Sequence, residues 1–365
     1  MAAALEVFSV IADTISIAQF IASLIPQPMV SVNTVRVIAG TGDNTDGAAP
    51  DVATFDINGY IQGITRGGQR LQKGADYDAQ VKVVNPDAAV QANYVQLMAG
   101  GNDALCIAGI SVMTDDQGAF GWTGDFGYYC GAPWYYSSTV IGGNNYMPKC
   151  VWIDGDASSG IMTKGLGIHL PSFAATAERA SSIMMDKDLW CKTDPRFKVF
   201  DTITPLQYFD PTPQFQPDTQ LDVDPASLKN PANWKINPKN ADKIPLIELV
   251  SKKRMVDGNT TDTTIQTQGT GFRGKLIKSE MQSHSAMELC ESSTSVGPDF
   301  VSMVEKVFCD MERKKVWRLC SSEQDVNCFD AEKNVMRGGK VNSRRDDTTG
   351  ERIVRKRYHT VSTWA

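Results

Sequence analysis

The sequence is poor in the residues and motifs that most enzymes use. Its three histidines, His169, His284 and His359, leave little choice of a general base. It has no G-x-S-x-G elbow, no G-x-x-x-x-G-K-[ST] loop, no G-x-G-x-x-G turn and no C-x-x-C pair. These absences argue against nucleophilic hydrolases, nucleotide enzymes and zinc sites. We therefore expect no catalysis, with a hydrolase that pairs Asp125 with a second carboxylate as an alternative.

Basic residues are missing from the start of the chain. No Lys or Arg precedes Arg36, and the apolar run Leu5–Ile25 contains Glu6 and Asp13. A secretory signal peptide begins with a basic segment, so this run does not fit one. Its polar residues recur at helical spacing, which predicts an amphipathic helix that ends before Pro26. The helix packs against the body or a sister subunit, or it contacts a membrane through residues 5–25.

Charge is distributed unevenly along the chain. The net charge of −6 argues against a protein that coats nucleic acid. From Arg337 onward there are eight Lys or Arg and three Asp or Glu, so the tail carries +5 and the body −11. Two polar strands around Asp347–Gly350 are predicted to form a basic hairpin in this tail. Arg355 and Arg357 of the tail are candidate interface residues.

Residues 30–191 carry mostly strand signals. Phe55-Asp56-Ile57 and Tyr60-Ile61-Gln62 flank Asn58-Gly59, a dipeptide that favours a type I′ hairpin. Short strands separated by turn signals predict a mainly β protein with an antiparallel β-sandwich or jelly-roll-like domain. The predicted regions are an N-terminal amphipathic helix at 1–28, the β-sandwich at 29–192, an extended Pro-rich arm at 193–246, a smaller Cys-containing region at 247–337 and the basic hairpin tail at 338–365.

The Pro-rich arm contains large apolar residues. Nine of the 17 prolines lie between Pro195 and Pro245, and proline excludes a helix or a central strand there. Phe200, Phe209 and Trp234 are too apolar for a solvated linker. We expect an extended arm that lies on a surface, either of its own sandwich or of a neighbouring subunit.

Aromatic residues concentrate between Gly118 and Trp152, where ten of the 31 in the chain occur. Such a stretch is a packed core, a subunit interface or a carbohydrate platform. Core packing is our first interpretation and an interface our second. The candidate binding or interface residues are Trp122, Trp134, Tyr135 and Tyr136.

Eight cysteines, an even number, are compatible with disulfides in an oxidising compartment or with buried thiols. We favour disulfides, and the sequence does not give their connectivity. The candidates are Cys106, Cys130, Cys150, Cys191, Cys290, Cys309, Cys320 and Cys328. They favour an extracellular or cell-surface location, reached by a non-classical route because a clear signal peptide is missing.

One stretch resembles the start of a calcium loop. Asp154, Asp156 and Ser158 offer oxygen atoms at alternate positions, but Ser159 and Gly165 stand where an EF-hand loop has Gly and Glu. A plain turn is the preferred interpretation, and we expect no cofactor.

Several phrases resemble a family of filamentous-fungal (ascomycete) proteins with W-x-G-D and C-G-x-x-W-Y-Y-S segments and a terminal Cys-rich piece. They are NDALCIAGISV, GWTGDFG, CGAPWYYSS and CVWIDGD, followed by CESSTSVGPDFVS, FCDM and NCFD. The resemblance covers residues 30–170 and 285–330. It implies a fungal origin and a β-rich body compatible with disulfides, and it transfers no functional residues.

Taken together, these features predict a structural or self-assembling protein. Its partner is itself, in a homo-oligomer or filament joined by the N-terminal helix, the arm and the tail. One alternative is a lectin-like module that binds glycan or cell wall through the aromatic stretch. Another is a membrane-active, pore-forming toxin that uses the N-terminal helix.

Overall fold

The structure is a computed structural model that forms two compact units, the first within residues 32–240 and the second within 270–365. It describes residues 32–40, 46–85, 87–89, 91–114, 118–141, 146–158, 160–173, 177–202, 204–240, 270–338 and 356–365. The predicted helix at 1–28 and the predicted hairpin turn at Asp347–Gly350 lie outside these residues. The protein is mainly β, which confirms the predicted fold class.

The first unit contains most of the strands and four short α-helices among its described residues. The strands are β1 (Val32–Ala39), β2 (Gly47–Ala48), β3 (Asp51–Phe55), β4 (Ile61–Thr65), β5 (Arg70–Leu71), β6 (Asp76–Lys82), β7 (Tyr94–Met98), β8 (Leu105–Met113), β9 (Ala119–Thr123), β10 (Trp134–Tyr135), β11 (Cys150–Ile153), β12 (Gly165–His169), β13 (Phe197–Phe200), β14 (Gln207–Phe209) and β15 (Trp234–Ile236). The helices are α1 (Gly124–Tyr129), α2 (Ala177–Met185), α3 (Lys187–Cys191) and α4 (Pro225–Leu228).

Two antiparallel sheets build the β-sandwich of the first unit. One has the order β10-β11-β8-β1-β6, with β9 paired to the second half of β8, and the other has the order β13-β12-β7-β3-β4. One apolar core contains Val37 and Ile110 from the first sheet together with Leu97 and Ile168 from the second. Exposed and buried residues alternate along β6, and Tyr77 is one of the buried ones. This period of two is typical of a strand with one face covered.

The predicted hairpin at Asn58-Gly59 is confirmed, but its turn is not the expected type I′, because Gly59 has a positive φ and Asn58 does not. It joins β3 to β4, which pair antiparallel with Phe55 opposite Ile61. Gly59 has a φ of +68°, a conformation that glycine adopts without steric cost. A Cβ atom at Gly59 would also lie 2.6 Å from the ring of Tyr208, so the arm packs directly on this turn.

The Pro-rich arm is part of the first unit over its described residues, and it includes the short helix α4, so the expectation of an arm without a helix is wrong there. Pro225 stands at the start of this helix, where its missing N–H is not needed. Its first strand, β13, is the edge strand of the second sheet, a position compatible with nearby prolines. Leu206, Phe209 and Leu228 belong to the core of the sandwich. Of the two surfaces left open by the sequence, the arm therefore lies on that of its own sandwich.

The second unit is built around a five-stranded mixed sheet of order β19-β18-β17-β16-β22. Strand β16 is parallel to both β17 and β22, whereas the other pairs are antiparallel. Its elements are β16 (Lys275–Ser279), α5 (Ala286–Glu291), β17 (Asp299–Ser302), β18 (Val307–Asp310), β19 (Lys315–Arg318), β20 (Cys328–Asp330), β21 (Val335–Arg337) and β22 (Thr360–Trp364).

All eight cysteines are paired, which confirms the disulfide prediction. Two bridges lie in each unit and link segments that are already neighbours in the fold. They are Cys106–Cys150, Cys130–Cys191, Cys290–Cys309 and Cys320–Cys328.

Candidate functional site

The aromatic candidates from the sequence are buried inside the first unit. Trp134, Tyr135 and Tyr136 are at most 3% exposed, and Trp122 is 4% exposed. Trp122 packs in the core of the sandwich, whereas Trp134 contacts the ring of Tyr136 at 5.3 Å between centroids. A carbohydrate platform requires these rings at the surface. The structure corrects that hypothesis at these residues, because their rings are buried within the first unit.

Helix α1 lies very close to the chain that precedes β11. A Cβ atom at Gly124 would be 2.1 Å from the carbonyl oxygen of Lys149, and one at Gly127 would be 2.5 Å from Val151. Gly124 thus allows close approach of backbone to backbone, and Gly127 leaves room for the Val151 side chain of β11.

Three aromatic rings surround the ammonium group of Lys149. Its Nζ lies 4.4 Å from the ring centroid of Tyr128, 5.3 Å from that of Trp134 and 5.4 Å from that of Tyr136. Cation–π attraction therefore contributes to the packing of this region. The arrangement explains why so many aromatic residues occur together without forming an exposed patch.

Asp125 is a buried carboxylate that supports the same region. It accepts hydrogen bonds from the hydroxyl of Tyr146 and from the Lys149 backbone N–H at 3.2 Å. Burial raises the pKa of Asp125, and the positive charge of Lys149 opposes that rise. These contacts join α1 to the segment before β11, which is a structural role.

The calcium candidates form a turn. Asp154 is buried and accepts a hydrogen bond from the backbone N–H of Asp156 at 3.3 Å, as expected for an Asp that stabilises its own turn. Within the described ranges, no three His, Cys, Asp or Glu side chains are grouped so as to hold a metal ion.

Buried arginines that the sequence analysis did not single out stabilise the arm and its contact with the rest of the first unit. Arg196 lies in the arm, and its partner Asp222 is also an arm residue. Arg196 has a fully buried side chain, whose Nη2 donates to Asp222 at 2.9 Å. Its guanidinium also lies 4.5 Å from the ring centroid of Trp190. A fully buried ion pair is strongly disfavoured unless both partners stay together. The Asp222 segment of the arm is therefore fixed to the unit.

A second arginine binds the arm next to the first. Arg179 donates to the carbonyl oxygens of Pro171 and Gln220, and its guanidinium lies 4.1 Å from the Phe215 ring. Burial lowers the pKa of Arg179 to about 10. Burial also lowers the pKa of His169, which contacts Ser172 at 2.7 Å, so the imidazole is neutral and structural.

The second unit binds part of the basic tail. Residues 356–365, hereafter the β22 segment, form the edge strand β22 and the residues that lead into it. Lys356 Nζ lies 2.8 Å from Asp299 Oδ2 and also donates to Asp310. Tyr358 donates to Asp299 at 2.7 Å. Both carboxylates are nearly buried, and Lys356 places a positive charge against each of them. Asp310 also pairs with Arg313 at 3.2 Å.

The far end of the β22 segment is anchored by an aromatic ring. Trp364 is 7% exposed and contacts His284 and Phe300 at 5.4 and 6.1 Å between ring centroids. Its carbonyl oxygen accepts a hydrogen bond of 2.9 Å from the Glu280 N–H. The segment therefore has a charged anchor at its start and an aromatic anchor at its end.

We call this arrangement the docking site, defined by β16 with Asp299, Asp310, His284 and Phe300. Burial raises the pKa of Asp299, and the Lys356 charge opposes the rise. The pKa of Tyr358 is raised by burial and by the Asp299 charge. The Lys356 and Asp299 side chains are 11% and 4% exposed, so their contact is largely shielded from water.

The candidates of the basic tail have different positions. Arg357 is exposed next to Lys356, and Arg355 lies outside the described residues. Sequence reasoning identified the basic tail but missed Lys356 as its anchor. Asp299 and Asp310 lie in the phrases GPDFVS and FCDM, where they resemble ordinary surface carboxylates.

The chain was compared with known proteins. No family model and no curated protein matches it. Two solved structures, Delta413-417:GS LOX and its anaerobic complex with arachidonate, match at 11% identity and a TM-score of 0.20. The match covers 35% of this chain and 17% of each of those chains. At that TM-score it carries no argument about fold or function.

None of the helices in the described part of the chain is long and apolar enough to cross a membrane.

Proposed function

We propose that this protein is a non-enzymatic structural protein that assembles with copies of itself. The β22 segment and the N-terminal helix are its joining elements. The observation that carries the proposal is the contact of Lys356 with Asp299 and Asp310, by which two nearly buried carboxylates bind a residue of the basic tail. Contacts of this kind between copies build closed rings or open filaments.

The uneven charge supports the proposal. The tail from Arg337 onward is basic and the rest of the chain is acidic, so copies attract one another through these parts. The Pro-rich arm contributes less than the sequence suggested, because its described residues are packed into the first unit. The joining role therefore falls on the two ends of the chain.

Sedimentation velocity on the full chain and on Lys356→Glu tests the proposal. We expect the full chain to sediment as an oligomer in low salt, and the variant to shift towards the monomer because it places a third negative charge at two carboxylates. Arg357→Glu is the matched control, since its side chain is exposed. If both variants shift equally towards the monomer, the change in net charge alone explains the loss of assembly. A full chain that sediments as a monomer would refute assembly.

A further inference from the structure

The β22 segment is attached to the second unit along a single edge. Strand β22 pairs in parallel with β16, from Thr360 opposite Lys275 to Trp364 opposite Ser279. It is the outermost strand of the sheet, and among the described strands it pairs only with β16. An edge strand is separable from a sheet without breaking any other strand pairing, which is the basis of strand addition between chains.

The four buried residues at the centre of the second unit lie outside the β22 segment, whose Tyr358 packs against them from the edge. These four are Leu276, Val301, Phe308 and Phe329, which lie in β16, β17, β18 and β20. The disulfides Cys290–Cys309 and Cys320–Cys328 connect parts of the unit other than β22. A copy that releases its β22 segment therefore keeps these four residues and its covalent links.

The contacts of the β22 segment are specific enough to choose one partner. Lys356 and Tyr358 bind the Asp299 carboxylate at one end, and Trp364 packs on His284 and Phe300 at the other. The backbone between them pairs residue by residue with β16. Side-chain anchors combined with a backbone ladder are the features by which added strands are recognised.

The chain is long enough for the segment to reach another copy. Residues 339–355 separate the segment from Gly338, and an extended chain of this length spans roughly 55–60 Å. That reach exceeds the size of the second unit, which contains about 100 residues and has an expected radius of gyration of about 13 Å. Docking on the same chain and docking on a neighbour are thus both within its reach.

We infer that the β22 segment is exchanged between copies of this protein. In the assembly, the β22 segment of one copy occupies the docking site of the next and makes the contacts described above. This inference rests on the proposed self-assembly and names its site and its partner. The partner is a basic strand that carries Lys356 and Trp364 and belongs to a second copy of the same chain. Reciprocal exchange gives a closed dimer, and onward exchange gives a ring or filament.

Cross-linking between two full-length variants tests the exchange. Lys278 and Thr363 stand opposite each other in the register of β16 and β22. Neighbouring strands lie about 5 Å apart, within the range of a disulfide or a short thiol cross-linker. One copy carries Lys278→Cys and a differently tagged copy carries Thr363→Cys, and the two are co-expressed. All eight native cysteines are paired, so the new thiols are the ones that react.

The controls separate exchange from chance contact. Arg318→Cys lies in β19 at the opposite edge of the sheet, and its mixture with Thr363→Cys gives the background. A chain that carries both Lys278→Cys and Thr363→Cys reports whether β22 pairs with β16 at all. Lys275→Cys with Thr360→Cys is a second matched pair, in case the first disturbs the sheet.

We expect the matched mixtures to form a covalent heterodimer at least about tenfold above the Arg318→Cys background. A sample that is oligomeric but gives no covalent heterodimer would overturn the exchange and would leave self-assembly unaffected. In that case the double variant should cross-link only within its own chain. A sample that sizes as a monomer would overturn self-assembly as well. A double variant that forms no cross-link would overturn the docking of β22 on β16.

Discussion

Lys356 holds its ammonium group 2.8 Å from the carboxylate of Asp299, and the lysine and aspartate side chains are 11% and 4% exposed. The strand order of the second unit places the two residues together although 56 residues separate them in the sequence. Asp310 joins the same cluster from β18. This cluster ties the basic tail to an acidic protein at one defined position.

Replacing Lys356 by methionine is expected to destabilise the second unit. Breaking a buried ion pair by removing one partner costs about 3–5 kcal/mol, because the remaining charge stays buried. Urea unfolding, monitored by hydrogen exchange at β16, measures the loss of stability. Arg357→Met, at the exposed neighbouring position, is expected to change stability by less than about 0.5 kcal/mol. A similar loss in both variants would contradict a specific role for Lys356.

The loss of stability caused by Lys356→Met is expected to depend on pH. Burial already raises the pKa of Asp299 in the folded protein. A carboxyl group with a raised pKa stabilises the fold fully at pH values below its unfolded pKa. This stabilisation is lost as the pH rises through its folded pKa. Removing Lys356 raises that pKa further. The difference in stability between the two proteins should therefore be smaller near pH 4 than at pH 7. A difference that is constant over this range would contradict the prediction.

Lys314 should make the protein more stable as the solution becomes alkaline. Burial lowers its pKa to about 8, although it donates to the carbonyl oxygens of Leu289 and Ser295 at 3.2 and 2.6 Å. Since the unfolded lysine keeps its proton to a higher pH, unfolding takes up a proton above pH 8, and the free energy of unfolding rises with pH. Urea titrations at pH 7.5, 8.5 and 9.5 measure the slope. Lys314→Met should flatten it, and an unchanged slope in that variant would assign the effect elsewhere.

Trp134→Ala should unfold or strongly destabilise the first unit. The side chain is fully buried, and such a truncation costs about 3–5 kcal/mol. Val140→Ala, at a position that is 54% exposed, is the control and should have little effect. Thermal unfolding, monitored by circular dichroism, compares the stability of the two variants. A stable Trp134→Ala protein that has lost binding on a glycan array would instead support the lectin hypothesis.

The disulfides should differ in what they contribute to stability. Cys130 and Cys191 are 61 residues apart, whereas Cys320 and Cys328 are 8 apart. In the chain-entropy account, the longer loop stabilises by about 4 kcal/mol and the shorter one by about 2.5 kcal/mol. Paired Cys→Ser variants measured by urea unfolding test this order. A larger loss for the Cys320–Cys328 pair would contradict it.

Local signals in the sequence predicted much of the first unit. Asn58-Gly59 specified a hairpin because glycine adopts a positive φ there, and the structure places Phe55 opposite Ile61 across it. The density of aromatic residues after Gly118 likewise indicated burial. Such signals depend on neighbours in the chain, so a single sequence contains them.

The second unit and the buried charges could not be predicted in this way. Parallel pairing of β16 with β22 joins residues about 85 positions apart, and no local turn motif predicts such a pair. Arg196 has the sequence context of a surface residue, yet it is fully buried because the fold places Asp222 and the Trp190 ring against it. Partners of this kind are defined by the fold and not by spacing in the sequence.

Size-exclusion chromatography with light scattering, over a range of protein concentrations in low salt, tests the central proposal most directly. The chain has a mass of 39.9 kDa. Self-assembly predicts a measured mass that is a multiple of this value and rises with concentration. A mass of 39.9 kDa at every concentration would contradict it.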